Sequence, residues 1–154
     1  MGQRIYIDTS VIGGCEDVEF SRWSIQLFKE FQQGLKIAVV SDLTRRELEG
    51  APENVKRVLA ALPKSSIENV FLGEEAEALA KNYLNEKVLS SKHIVDAQHI
   101  AIASVERVDL LVSWNFQEVV NITRIRGFNS VNLKLGYPIL EIRSPREVID
   151  AKEI

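Results

Sequence analysis

The chain has 154 residues, 45% of them hydrophobic and 27% charged, with a net charge of -3. This composition suits one soluble domain with a normal core and excludes nucleic-acid attraction by bulk charge, so any such binding needs a local basic patch. One cysteine, Cys15, excludes an internal disulfide, and no apolar stretch approaches the roughly 18 residues a membrane helix requires. The opening "MGQRIYID" lacks the apolar core of a signal peptide, and Tyr6 stands where a myristoylation motif has Ser or Thr. A cytoplasmic protein with no membrane partner is expected.

The first element is a strand, "RIYID" (4–8), a continuous apolar run that stops on Asp8. Thr9, Ser10 and a Gly13-Gly14 turn follow. "FSRWSIQLFKEFQQG" (20–34) places Phe20, Trp23, Ile25, Leu27, Phe28 and Phe31 largely on one side, the pattern of an amphipathic helix that ends at Gly34. "KIAVVS" (36–41) is a second strand, and "LTRRELEG" (43–50) and "NVKRVLAAL" (54–62) are short helices, the latter stopped by Pro63. "IENVFL" (67–72) is a third strand. "GEEAEALAKNYLNEKVL" (73–89) is a helix with acids in its first turn, as the helix dipole favours. "SKHIVDAQHIAIASVERV" (91–108) is the most apolar helix, with Ala97, Ile100, Ala101, Ser104 and Val108 on one stripe. "LLVSW" (110–114) and "YPILEI" (137–142) complete the strands. "SPREV" (144–148) carries a capping box, with Ser144, Pro145 at the first helical position and Glu147 three residues after Ser144.

Strand runs that are continuous rather than alternating belong to a sheet covered on both faces. Their alternation with helices predicts an α/β fold, a single three-layer domain with a central, mainly parallel sheet and helices on both faces. There is no internal repeat or linker, and no G-x-G-x-x-G or Walker A pattern marks a nucleotide site.

In open α/β sheets, sites form beyond the carboxyl ends of the strands. Asp8 lies at such an end, Glu47 in the helix after the second strand, and Asp96 near the start of the most apolar helix. Asn115 ends the fourth strand and Glu118 follows one turn later. Crowded carboxylates repel, and a hard divalent cation such as Mg²⁺ or Mn²⁺ relieves the repulsion. No cysteine pair offers a zinc site, and His93 and His99, about two helical turns apart, do not point the same way as a pair.

Each acid has an ordinary reading as well. Asp8 suits a turn that bonds the backbone of Ser10, and Asp96 suits a first-turn acid. Glu47 suits a solvated helix face, where Glu49 and Asp42 are its rivals, and Asp42 also suits a helix cap. Arg45, Arg46, Lys92, Arg124 and Arg126 are candidate phosphate contacts or solvated surface. Trp114 suits either stacking on a base or burial against the sheet. Cys15 suits a small buried residue.

"YIDTSVIGG", "VSDLTRRELEG", "HIVDAQHIAIA" and "LLVSWNFQEVVN" together resemble the PIN domain, in order, over about residues 4–121. The tail "GYPILEIRSPREVI", with a C-terminal strand and short helix at about 137–150, is similar to the branch that holds VapBC-type toxins. The resemblance implies one PIN-like domain over residues 1–154. It implies a Mg²⁺- or Mn²⁺-dependent endoribonuclease in which a metal-bound water hydrolyses RNA to 3′-hydroxyl and 5′-phosphate ends. Asp8, Glu47 and Asp96 match the family's three acidic positions, with Thr9 or Ser10 as the supporting hydroxyl. The chain departs at the fourth position, where Asn115 stands for an Asp and either Asn115 or Glu118 completes the site. The resemblance also implies a small antitoxin partner and a homodimer. The alternative is a catalytically weak PIN domain that binds RNA or protein.

Overall fold

The computed structural model describes residues 2–150, so Met1 and residues 151–154, the ends of the expected domain, lie outside the described residues. Five strands, β1 (Gln3–Ile7), β2 (Lys36–Ser41), β3 (Ile67–Val70), β4 (Leu110–Val112) and β5 (Ile142–Arg143), form one sheet in the order β3-β2-β1-β4-β5. Every pairing is parallel. The chain moves from β1 outward through β2 to β3, then returns to β4 on the other side of β1. The order therefore reverses between β1 and β4, where Ile7 is in register with Val112.

The pleat sorts side chains into two cores. Tyr6, Val39, Leu111 and Ile142 face α5 (Glu74–Asn85), α6 (Ile94–Val105) and α7 (Ile122–Lys134). Ile5, Ile7, Ala38, Val40, Leu110 and Val112 face α1 (Thr9–Gly14), α2 (Ser21–Gln32) and α4 (Glu53–Ala60). The expected three layers are present. α3 (Asp42–Leu48) contributes Leu43 to one core and Leu48 to the other. The expected capping box stands at Ser144, ahead of α8 (Pro145–Val148).

Four local expectations are corrected. The expected Gly13-Gly14 turn is the end of α1, which Asp8 caps by accepting the Val11 N–H, so Asp8 follows the strand instead of ending it. α7 is a helix where none was expected. Its residues include β-branched Ile122, Thr123 and Ile125 and a central Gly127, all weak helix formers. Tertiary packing overrides that weakness, because a Cβ on Gly127 would lie 2.7 Å from the Val88 side chain. The last strand is only Ile142–Arg143, not 137–142, since the chain reaches its β4 partner only there. The helix after β2 is capped by the Ser41 hydroxyl, not by Asp42, whose carboxylate accepts the Leu72 N–H instead.

Inside the core that faces α1, α2 and α4, Trp114 is buried and lies 4.1 Å from Phe20 in a parallel stack. Its indole N–H donates to Ser24 Oγ, which donates in turn to the Val11 carbonyl. Of its two candidate readings, Trp114 takes the packing one. Cys15 is buried, and its thiol is pushed up to about 12 by burial and then by the Glu16 charge, so it is not a thiolate at neutral pH.

Gly13 and Gly14 are therefore unequal. Nothing lies within 4 Å of a Cβ on Gly13, whereas one on Gly14 would meet Ser24 Oγ at 2.5 Å and Trp114 Nε1 at 2.6 Å. Gly13→Ala should stabilise by up to about 1 kcal/mol through helix propensity. Gly14→Ala should cost about 1–3 kcal/mol by overpacking. Urea denaturation of both variants checks the difference.

Candidate active site

The site begins at the reversal point. Asp8 follows β1 and Ser113 follows β4, and Ser113 Oγ donates to Asp8 Oδ2 at 2.6 Å. Ser10 Oγ donates to Asp8 Oδ1 at 2.5 Å, and Ser10 also accepts the Trp114 N–H. Asp8 is thus a buried carboxylate held on both oxygens across the two strands. Burial pushes its carboxyl above the usual range, while His99 and the Ser10, Ser113 and Val11 hydrogen bonds oppose the shift.

Asp96 sits in the first turn of α6. Burial raises its carboxyl first, and the charges of Asp8 and Glu118 raise it further against His99 and His93. Those couplings place Asp96 within electrostatic reach of both Asp8 and Glu118. His93 stands between two of them, with Nδ1 3.6 Å from Asp96 and Nε2 3.4 Å from Glu118. Glu118 Oε2 is buried without a hydrogen bond, and Arg124 approaches it at 3.6 Å.

Glu47 belongs to a second group. Its Oε1 accepts from Thr9 Oγ1 at 2.7 Å and pairs with His99 Nε2 at 2.8 Å. Burial alone would raise this carboxyl, but the hydrogen bonds from His99 and Thr9 hold it below the ordinary value. His99 Nδ1 meets the Tyr6 hydroxyl at 2.6 Å, and that hydroxyl also meets Ser41 Oγ at 2.7 Å. Burial pushes the Tyr6 hydroxyl up, so it keeps its proton. His93 and His99 engage different carboxylates, as their spacing predicts.

Asn115 is placed differently from expectation. Its Oδ1 accepts the Gln117 and Glu118 N–H groups at 3.2 and 3.0 Å, which closes the turn that carries Glu118. That carbonyl oxygen bonds the backbone of its own turn. The basic candidates also have partners nearby. Arg45 donates to Asn69, Arg46 lies 3.9 Å from Asp42, and Arg124 donates to the Val88 carbonyl. Lys92 and Arg126 are exposed.

No family model matches the sequence, and no curated protein does. Solved structures do. The chain is similar to the VapBC2 complex of Rickettsia felis bound to a promoter DNA fragment, at TM-score 0.58 and 14% identity, covering 92% of this chain and 98% of that one. It is also similar to Mycobacterium tuberculosis VapC20, a sarcin-ricin loop cleaving toxin, at TM-score 0.52 and 15% identity, covering 73% and 91%. The chain has the fold of a VapC-like PIN domain. The oxygen donors here suit a hard cation, and Glu118 Oε2 is a buried acceptor without a hydrogen bond, with the Arg124 guanidinium 3.6 Å away. Among the described residues, however, no three ligating side chains are gathered closely enough to form a closed metal cage.

Three residues lay outside the expected set. Ser113 was legible as a hydroxyl at the end of "LLVS". His93 and His99 each stand three residues from Asp96, the spacing that puts helical neighbours within reach.

The crowding of Asp96 has a thermodynamic consequence. Its carboxyl is raised on folding, so its contribution to stability is present below the unfolded value and is lost as pH rises through the folded one. Asp96→Asn should therefore melt at a higher temperature than wild type at pH 7, without added metal. The difference should vanish near pH 4. Thermal denaturation at both pH values checks this.

Proposed function

We propose that the chain is a metal-dependent endoribonuclease of the PIN type, acting in the cytoplasm as the toxin of a toxin–antitoxin pair. The observation that carries the reading is the buried Asp8 carboxylate at the strand-order reversal, with Asp96 in electrostatic reach of both it and Glu118. Sarcin-ricin loop cleavage by VapC20 and the assembly of the VapBC2 complex support an RNA substrate and a small antitoxin partner. A homodimer follows from the family resemblance.

Asp8, Asp96, Glu118 and Glu47 are the residues that would hold Mg²⁺ or Mn²⁺. Bound there, the ion would polarise a phosphodiester and lower the pKa of an attacking water. The chain supplies the rest. Ser10 and Ser113 fix Asp8, Thr9 fixes Glu47, and Asn115 shapes the turn that presents Glu118. Asn115 thus acts through the backbone, and Glu118 is the better candidate for the fourth position. Exposed Lys92, next to His93, is available to a phosphate.

The second reading, a PIN domain that binds RNA or protein without cutting, draws on the absence of a closed cage among the described residues. Mn²⁺ calorimetry separates the two. Wild type should bind Mn²⁺ and cleave RNA in the same buffer, and Asp8→Asn should lose at least about 100-fold in both, more than a supporting residue costs. Pure, folded wild type that neither binds Mn²⁺ nor cleaves RNA would establish the second reading.

A further inference from the structure

The acids at the sheet edge differ in how they are held. Asp8 accepts hydrogen bonds on both oxygens. Glu47 receives both of its donors on one oxygen, Oε1, from the Thr9 hydroxyl and from His99 Nε2. No hydrogen bond among the described residues reaches its Oε2. A carboxylate pinned through one oxygen has a fixed orientation and a second oxygen available to a ligand.

His99 is itself fixed from the opposite side. It is buried in the middle of α6, where most neighbours are Ala and Ile. An ionised carboxylate only accepts, so the proton of this pair must sit on Nε2. Nδ1 then accepts from the Tyr6 hydroxyl, and Ser41, itself receiving the Thr44 N–H, meets that hydroxyl from below. Tyr6 lies in β1 two residues before Asp8, and Ser41 ends β2 and caps the helix that bears Glu47. One chain of hydrogen bonds, Ser41–Tyr6–His99–Glu47, thereby ties the acid on α3 to the strand that ends beside Asp8.

We infer that His99 is the positioning residue for Glu47, held in the Nε2–H tautomer by Tyr6 so that Glu47 Oε2 is left available to a ligand. This rests on the proposed metal site and assigns a role to residues that would not touch the metal. Histidine is needed because it alone joins an acceptor on one ring edge to a donor on the other in a rigid plane. The carboxylate–histidine pairing common behind metal sites is here reversed, with the imidazole supporting the acid.

The test uses the intact chain with Mn²⁺ and RNA. His99→Ala should weaken Mn²⁺ binding about 10- to 100-fold and lower kcat to a similar degree with KM for RNA unchanged. His99→Gln, which keeps an N–H donor, should recover part of the loss. The ring nitrogens give a readout independent of activity. In ¹⁵N spectra of wild type, His99 should show one protonated Nε2 and one bare Nδ1, and Tyr6→Phe should produce a mixture. Unchanged Mn²⁺ affinity in folded His99→Ala, with wild type binding normally, overturns the inference and leaves the nuclease reading standing. A wild-type spectrum with the proton on Nδ1 overturns it too. If His99→Ala does not fold, Tyr6→Phe decides by the same two measurements. Wild type that binds no Mn²⁺ overturns the nuclease reading, and the inference with it.

Discussion

The Asp8 carboxylate, buried where the strand order reverses, is the constraint around which the rest is arranged. It closes α1 by capping it, joins β1 to β4 through Ser113, and holds Ser10 in place beneath the Trp114 amide. A buried carboxylate left without these bonds would be costly. Its environment satisfies it with neutral hydroxyls and an N–H, not with a cation. That choice separates it from the Lys36–Glu30 pair elsewhere in the fold, which is also buried but closed at 2.7 Å by an opposite charge. Lys36 and Glu30 neutralise each other. Asp8 and Glu118 each add to the repulsion on Asp96.

Much of the architecture was legible because strands and helices announced themselves by period. Continuous apolar runs such as "KIAVVS" and "RIYID" gave a sheet buried on both faces, and the long acidic-start helix and the apolar helix were found with only their ends displaced. What was not legible lacks a local signal. α1 is six residues long with two glycines and holds its shape through the Asp8 cap and the buried contacts of Val11, Ile12 and Gly14. α7 has Asn121 as a good cap, but its interior is poor helix material and depends on packing Phe128 and Val131 against α5 and α6. Short elements of this kind are specified by what surrounds them.

The site divides in the same way. Asp8, Glu47, Asp96 and Glu118 were recognisable as acids near one edge of the sheet, and the structure puts Asp96 in electrostatic reach of both Asp8 and Glu118. The partners of the supporting residues were not recognisable. Ser113, His99 and Tyr6 act through hydrogen bonds that span 105, 52 and 93 positions of sequence. Such contacts leave no spacing pattern. Asn115 shows the opposite hazard, since its position at a strand end suggested a ligand while its side chain closes a turn. Residue type at a sheet edge identifies candidates, and only the partner of each oxygen says which are available.

The opposed shifts within the site suggest how its parts differ in task. Glu47 is held below the ordinary carboxylate value by a histidine and a hydroxyl, so it is ionised whether or not anything binds. Asp8 and Asp96 are raised by burial and, for Asp96, by their neighbours, so their ionised forms are the ones a bound cation would favour. Linkage makes this reciprocal: whatever cation lowers those two carboxyls also relieves the repulsion that folding imposes. A fold that keeps these acids together without a cation has given up stability at that edge. It can do so because β1 is central in the sheet, paired on both sides and covered by helices on both faces, and so is the strand least easily displaced by repulsion at its end.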